Sequence, residues 1–164
     1  MYESLAKYMP DFHLYMFVFD DKGEELLKKL DLPHVTIIPL RDFEDKELLA
    51  IKPTRSKGDY CWTCTPSVVL YILNTYQVPS CIYLDADLLF FKSPEELVSQ
   101  EKKSFSILIT DHRYSKHLMH YEKSNGKFNV QFMFFKNDTD GRAALQWWRD
   151  ACIEWCYDAC EPGR

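Results

Sequence analysis

Five apolar runs of strand length, separated by segments with helical spacing, restrict the fold of this 164-residue chain most strongly. The first run, HLYMFVF at 13–19, is apolar almost throughout, which is typical of a strand buried on both faces. Strands that alternate with helices favour a parallel sheet with helices packed on it. The sequence therefore predicts an α/β fold with a Rossmann-like, mostly parallel sheet flanked by helices. The predicted strands are 13–19, 35–38, 81–84, 106–110 and 128–135.

Two helix starts have a hydroxyl side chain followed by proline. Thr65-Pro66 predicts a helix from there to about Tyr76, because Thr is a good N-cap and Pro suits the first helical position. Ser93-Pro94 has the same form. No internal repeat or long linker divides the chain, so we expect one domain over 1–164. The other predicted helices are 2–9, 23–30, 43–51 and 140–157.

Charge, hydropathy and cysteine content limit the function classes. The 20 basic and 25 acidic residues give a net charge of −5, which argues against a nucleic-acid partner. No apolar stretch approaches the roughly 20 residues of a membrane span, and the first residues do not resemble a secretory signal. We therefore expect a cytoplasmic protein whose six cysteines are reduced and packed in the core. The Cys61–Cys64 CxxC leaves structural zinc or redox chemistry as alternatives.

The segment YLDADLLFF at 83–91 is the strongest candidate site. An apolar strand ends there in Asp85 and Asp87, whose spacing lets both side chains point to the same side of a strand. Ligands of open α/β sheets bind outside the carboxyl ends of the strands. Two carboxylates there suit Mg²⁺ or Mn²⁺, which prefer oxygen ligands and share them with phosphates. The alternative is a solvated strand end. A second D-x-D, at 138–140, is interpreted as a turn and helix N-terminus.

Several blocks of the sequence together resemble one protein family. The order helix, strand, YLDADLLFF and SPEEL resembles the donor-site region of nucleotide-sugar glycosyltransferases with the GT-A fold. A narrower resemblance is carried by the blocks YCWTCTPS (60–67), YLDADLLFF (83–91), ITDHRY (109–114), VQFMFFKN (130–137) and WWRDACIEWC (147–156). Together they are similar to a family of largely uncharacterised bacterial glycosyltransferase-like proteins.

The resemblance implies that Asp85 and Asp87 hold Mn²⁺ or Mg²⁺ and, around it, the sugar nucleotide. The cation would offset the charge that develops on the departing nucleoside diphosphate. The segment after the donor site would line the sugar and acceptor pocket, with Asn129 as a substrate contact and Gln131 as a catalytic candidate.

Two further groups of residues are candidates for the same site. Arg113 could clamp a phosphate, and His112 or Asp111 could orient an acceptor hydroxyl; the alternative is a surface loop. Thr65 and Ser67, at the predicted helix N-terminus, would border the donor site because free backbone N–H groups attract phosphate there.

The leading hypothesis is a metal-dependent glycosyltransferase. It would move a sugar from a nucleoside-diphosphate-sugar donor to a hydroxyl of a glycan or lipid-linked acceptor, in bacterial surface glycan synthesis. One alternative is a truncated, inactive nucleotide-sugar-binding module. Another is a haloacid-dehalogenase-like phosphohydrolase, which Leu89 and the mid-chain position of the motif disfavour. Related sequences extend further at both ends, so we also expect a sheet edge that is exposed or covered by a partner, such as a second copy in a homo-oligomer.

Overall fold

The computed structural model describes residues 1–99 and 105–159. Its strands lie within one or two residues of the predicted runs. The elements in chain order are α1 (Tyr2–Tyr8), β1 (Leu14–Val18), α2 (Asp21–Leu30), β2 (Val35–Pro39), α3 (Leu40–Phe43), α4 (Lys46–Ile51), α5 (Lys57–Thr75), β3 (Ser80–Leu84), α6 (Glu95–Ser99), β4 (Ile107–Asp111), α7 (Glu122–Asn125), β5 (Phe128–Lys136) and α8 (Thr139–Glu154). Short 3₁₀ turns precede α5 and α7, at Lys52–Thr54 and Met119–Tyr121.

The α/β class is confirmed, and the strands form two small sheets. Strand β1 pairs in parallel with β2, and the second sheet has the order β3-β5-β4 with both pairs antiparallel. β5 is antiparallel because it returns between β3 and β4 without a long helical crossover. In the described part of the chain, β1 and β3 do not pair with each other. The described strands therefore do not form the single, mostly parallel sheet that the sequence predicts.

The long helix α5 begins earlier than the sequence predicts. It starts at Lys57, where the Ser56 hydroxyl accepts a hydrogen bond from the Asp59 N–H and the Asp59 carboxylate accepts one from the Ser56 N–H. This capping box satisfies two N–H groups of the first turn. Pro66 lies inside the helix, where it has no N–H to donate to the Trp62 carbonyl. The prediction of a helix start at Thr65 was therefore wrong, because a proline in the helix interior has the same local sequence.

Helix α5 is the centre of the main hydrophobic core. Its apolar face packs against β1, β2 and β5 and against α8. Leu73 on α5, Leu48 on α4 and Leu145 on α8 are fully buried. A smaller cluster, Val98, Phe132 and Phe134, packs on the other face of the β3-β5-β4 sheet. Both faces of β5 are thus covered over residues 132–135, as expected for the apolar run FMFF.

Helix α8 begins at the second D-x-D of the chain. Asp138 is its N-cap, and its carboxylate accepts hydrogen bonds from the Gly141 N–H at 2.9 Å and the Ser106 hydroxyl at 2.8 Å. These donors lower the pKa of Asp138. The interpretation of 138–140 as a helix N-terminus is confirmed.

The cysteines and the helix lengths bear on two further expectations. Cys64 and Cys152 are buried in the core, and the five described cysteines are free thiols. Cys160 lies outside the described residues. None of the helices in the described ranges is long and apolar enough to cross a membrane.

We expect Gly141→Ala to destabilise the fold by about 1–3 kcal/mol, because added atoms at a close-packed position force the backbone to shift. A Cβ at Gly141 would collide with the carbonyl oxygen of Lys136. The matched control is Gly58→Ala in the first turn of α5, where the nearest atom is the Ser56 hydroxyl oxygen at 3.8 Å. That variant should be neutral or more stable by up to about 1 kcal/mol. Urea unfolding of both variants measures the difference, and equal midpoints would contradict the packing described here.

Candidate functional site

Polar residues from three strands meet at one end of the β3-β5-β4 sheet. Because β5 is antiparallel to both neighbours, its beginning lies beside the ends of β3 and β4. The register pairs Leu84 with Phe132, which places Asp85 beside Gln131, and it pairs Thr110 with Asn129. Residues far apart in the sequence are therefore brought together by the strand pairing.

Asp85 is held at the end of β3 by backbone and side-chain hydrogen bonds. Its N–H donates to the Gln131 carbonyl at 3.0 Å, which extends the β3-β5 ladder by one residue. Its carboxylate accepts a hydrogen bond from the Tyr83 hydroxyl at 2.7 Å. Its carbonyl accepts from the Leu88 N–H at 3.4 Å, which closes a turn over 85–88. One carboxylate oxygen of Asp85 therefore has a fixed position.

Asp87 lies in that turn and is exposed, whereas Asp85 is half-buried. Strand alternation, from which we expected both side chains on one side, does not continue to Asp87, because the turn over 85–88 follows β3. Both aspartates nevertheless line the same cavity, whose volume is 1040 Å³. Two acidic side chains, one fixed and one exposed to solvent, thus border one large space.

The first half of α5 forms a wall of the cavity beside the aspartates. Cys61, Trp62 and Thr65 all line it. Burial and then the Asp85 charge raise the pKa of the Cys61 thiol, which keeps that thiol neutral. Burial and then the Asp85 hydrogen bond raise the pKa of Tyr83, while its hydrogen bond with Thr65 lowers it. Tyr83 is therefore protonated and donates to the Asp85 carboxylate.

Of the residues predicted at a helix N-terminus, only Thr65 borders this cavity. Both Thr65 and Ser67 lie two turns or more inside α5, so their N–H groups belong to the helix interior and are not free to bind phosphate. The Thr65 hydroxyl is within 3.5 Å of the Cys61 carbonyl. Ser67 is buried, and its hydroxyl has no hydrogen-bond partner in the described structure. The predicted phosphate contact through this helix N-terminus is therefore wrong.

Strand β5 brings Asn129 and Gln131 to the site in a distorted segment. Asn129 pairs with Thr110 and Met133 pairs with Ile109, so the pairing with β4 slips between these positions. The Asn129 side-chain oxygen accepts from the Gln131 N–H at 2.9 Å, which stabilises the bulged backbone. Asn129 and Gln131 are both half-buried.

The end of β4 carries Asp111, His112 and Arg113, all exposed. The Asp111 carboxylate is 3.9 Å from the Lys127 ammonium, and the His112 N–H donates to the Lys127 carbonyl at 2.9 Å. The His112 ring stacks on Tyr114 with centroids 4.6 Å apart. These residues lie at the same sheet end as Asp85, with β5 between them in the order β3-β5-β4.

Arg113 has a left-handed backbone conformation, with φ of 51°. Such a conformation is uncommon for a residue other than glycine and is often found where a chain must turn sharply. It lies where β4 leads into the polar connection that precedes β5.

The described residues contain no group of three or more His, Cys, Asp or Glu side chains arranged to hold a metal ion. Asp85 and Asp87 therefore supply at most a partial coordination sphere. Mg²⁺ and Mn²⁺ are commonly held by one or two carboxylates, with water and substrate phosphates completing the sphere. The oxygen-only donor set of these two residues fits such an ion.

Tyr83 is a residue that the sequence analysis missed. It precedes Asp85 by two positions, and side chains two apart on a strand lie on the same face. Its hydroxyl fixes the carboxylate that we expected to contact a metal. A tyrosine two residues before an aspartate at a strand end is a signal that could have identified it.

The chain is similar to two proteins of Bacillus subtilis (strain 168). It is 36% identical to the uncharacterized protein YfnD over 157 residues, which are 95% of this chain and 50% of that protein. It is 27% identical to the uncharacterized protein YfnF over 173 aligned positions, which cover 100% of this chain and 56% of that protein. The chain thus spans about half the length of the curated relatives it matches. No family model and no solved structure matches it.

Proposed function

We propose that this chain forms the donor-binding part of a metal-dependent glycosyltransferase of the GT-A type. The observation that carries the proposal is the position of Asp85 and Asp87 at the end of β3, where both border a cavity of 1040 Å³. Polar residues of β4 and β5 reach the same sheet end. The resemblance of YLDADLLFF and its neighbouring blocks to nucleotide-sugar glycosyltransferases supports this use of the site.

In this proposal the two aspartates hold Mn²⁺ or Mg²⁺ together with the donor diphosphate. A bound cation supplies Lewis-acid stabilisation of the charge on the departing diphosphate. Tyr83 fixes the Asp85 carboxylate by donating a hydrogen bond to it, so that this ligand is oriented before the donor binds. The exposed Asp87 can adjust to the ion without breaking a hydrogen bond of the fold.

Residues at the end of β4 and at the beginning of β5 take the other proposed roles. Gln131 and Asn129 contact the donor sugar and the acceptor hydroxyl. Asp111 or His112 orients that hydroxyl and accepts its proton, and Arg113 interacts with the negative charge of the donor. The acceptor is a hydroxyl of a glycan or a lipid-linked sugar, and we propose a cytoplasmic reaction in bacterial surface glycan synthesis.

The test is a thermal-shift panel of nucleoside diphosphates and their sugar esters, with Mn²⁺ or with EDTA. A ligand that binds only the native state stabilises it by about 2.7 kcal/mol at 100 times its Kd. We expect at least one nucleotide to raise the melting temperature with Mn²⁺ and not with EDTA. If no nucleotide gives a metal-dependent shift, the proposal fails.

Product analysis in the same samples separates the proposed transferase from the two alternatives. A glycosyltransferase releases the nucleoside diphosphate from its sugar donor, by transfer or slowly to water. An inactive binding module shows the thermal shift without such release. A phosphohydrolase releases inorganic phosphate.

A further inference from the structure

The cavity is bounded on two opposite sides by unpaired strand edges. In the described structure, β1 pairs only with β2, and β3 pairs only with β5, so each has one free edge. The cavity lining includes an unbroken run from Phe12 to Phe17 along β1 and another from Ser80 to Asp87 along β3. Its long walls are therefore two lengths of extended backbone.

The hydrogen-bonding pattern of β1 shows which of its backbone groups face the free edge. The Leu14 N–H donates to the His34 carbonyl at 2.9 Å, towards β2. Because successive residues of a strand direct their backbone groups to opposite edges, those of Tyr15 and Phe17 are directed away from β2.

The same reasoning applies to β3. The Asp85 N–H donates to the Gln131 carbonyl at 3.0 Å, and the Pro79 carbonyl accepts from the Asn137 N–H at 2.9 Å, both towards β5. Ile82 and Leu84 alternate with these residues, so their backbone groups are directed away from β5. The Ile82 carbonyl has only a weak contact from the Cys81 thiol, at 3.9 Å.

Strand β1 runs from the end of α5 towards its beginning. Tyr15, near the start of β1, contacts Tyr76, which follows the last residue of α5, with ring centroids 4.5 Å apart. Phe17, further along β1, contacts Tyr71, one turn back in the helix, with centroids 6.1 Å apart.

Strand β3 runs in the same direction. It starts four residues after Tyr76, the residue at the end of α5 that Tyr15 of β1 contacts. At its other end, Asp85 lines the same cavity as Cys61, in the second turn of α5. β1 and β3 are therefore parallel, and one extended segment between them can run parallel to both.

The helical layers above and below the cavity are already present. On one side, α5 contributes Val68, Val69 and Ile72 to its lining, and on the other side Leu5 of α1 and Val98 of α6 line it. All five are buried apolar residues. The cavity thus has the form of a gap between two strand edges, with a covered apolar face on either side.

We propose that this gap is the binding site for one apolar β-strand, supplied by polypeptide outside residues 1–164. The strand inserts in parallel between β1 and β3 and joins the two small sheets into one of order β2-β1-insert-β3-β5-β4. The backbone of such a strand would hydrogen-bond to both free edges. Its apolar side chains would pack against the apolar residues on both sides of the gap. The relatives are about twice as long as the stretch they share with this chain, so such polypeptide exists in those proteins. The inserted strand would fill the apolar length of the cavity between β1 and β3 and leave its end open at Asp85 and Asp87, which follow the last residue of β3. The inference rests on the strand edges and the apolar walls, and it does not require that the site binds a nucleotide.

The experiment fuses a strand in front of Met1, which itself lines the cavity. The added segment is Thr-Val-Ile-Val-Ile-Val-Thr, followed by a flexible Gly/Ser linker of about ten residues, which reaches about 17 Å and so spans the length of a five-residue strand. Tethering gives an effective concentration in the millimolar range. The control fusion replaces the central Val by Pro, which removes an N–H and is poorly tolerated inside a sheet.

We expect the strand fusion to melt at least about 5 °C above the proline fusion. Amide exchange at Tyr15, Phe17, Ile82 and Leu84 should slow by at least about tenfold in the strand fusion only. The same peptide, flanked by lysines and added in trans to the unfused chain, should protect the same amides, which covers the case of a fusion that fails to fold.

Three results would overturn the proposal. The first is equal melting temperatures and equal exchange in the two fusions. The second is slower exchange confined to amides elsewhere in the chain, with Tyr15, Phe17, Ile82 and Leu84 unchanged. The third is an unfused chain that dimerises and protects these four amides without any added strand, because a second copy would then occupy the gap. Nucleotide binding is not measured, so failure here leaves the proposed function to its own test.

Discussion

The Asp87→Ala variant should lose the metal-dependent stabilisation by nucleoside diphosphate while keeping the melting temperature of the unliganded protein. Asp87 is exposed in the turn after β3, so its removal leaves no buried group without a partner. At 100 times the Kd, the stabilisation of about 2.7 kcal/mol corresponds to about 5–10 °C for a domain of this size. Thermal shift with Mn²⁺ and the best nucleotide of the panel measures this loss.

Asp140→Ala is the matched control, because it removes an exposed carboxylate from the other D-x-D of the chain. Asp140 lies in the first turn of α8, where an acidic side chain adds about 0.3–1 kcal/mol through the helix dipole. Its loss should lower the unliganded melting temperature slightly and leave the nucleotide-induced shift intact. A full shift in Asp87→Ala, or equal losses in both variants, would show that the metal does not use the turn after β3.

The Phe134→Ala variant should lose about 3–5 kcal/mol of stability, the cost of replacing a buried phenylalanine by alanine. Phe134 is 1% exposed in the second half of β5 and packs edge-to-face against Phe105, with centroids 5.9 Å apart. Val98 and Phe132 surround it in the smaller cluster, on the face of the β3-β5-β4 sheet opposite the main core. Urea unfolding should show a lower midpoint with an unchanged slope.

Phe128→Ala on the same strand is the matched control. Phe128 is 53% exposed at the beginning of β5, so its loss should change the free energy of unfolding by no more than about 0.5 kcal/mol. If the two variants unfolded at the same urea concentration, the smaller cluster around Phe134 would not be packed as described.

The strands could be predicted because their signal is local. The run HLYMFVF is apolar almost throughout and FNVQFMFF is apolar over its second half, and the structure places β1 and β5 on them. The pairing of the strands could not be predicted in the same way. Whether β1 pairs with β3 depends on residues far apart in the chain and on what lies between the two edges.

The start of α5 shows how a local signal can mislead. Thr65-Pro66 has the form of a helix start, but the capping box of Ser56 and Asp59 begins the helix nine residues earlier. Two satisfied N–H groups and the buried positions of the first turns outweigh the hydrogen bond that Pro66 omits. The helix N-terminus expected at Thr65 and Ser67, with its free N–H groups, was wrong for this reason.

The candidate site was predictable as far as each strand end could be recognised. Asp85 and Asp87 follow an apolar strand in the sequence and border the cavity in the structure. That Gln131 lies beside Asp85 follows only from the antiparallel register of β3 and β5. The roles of these residues in metal and donor binding stay predictions.

A crystal structure of the chain with Mn²⁺ and the nucleoside diphosphate that gives the largest thermal shift tests the central proposal most directly. Anomalous scattering locates manganese independently of the protein coordinates. We predict one manganese peak at the end of β3, bound by an Asp87 or Asp85 oxygen and by diphosphate oxygens at about 2.0–2.3 Å. A nucleotide bound away from these two aspartates, or manganese bound elsewhere on the chain, would contradict the proposal.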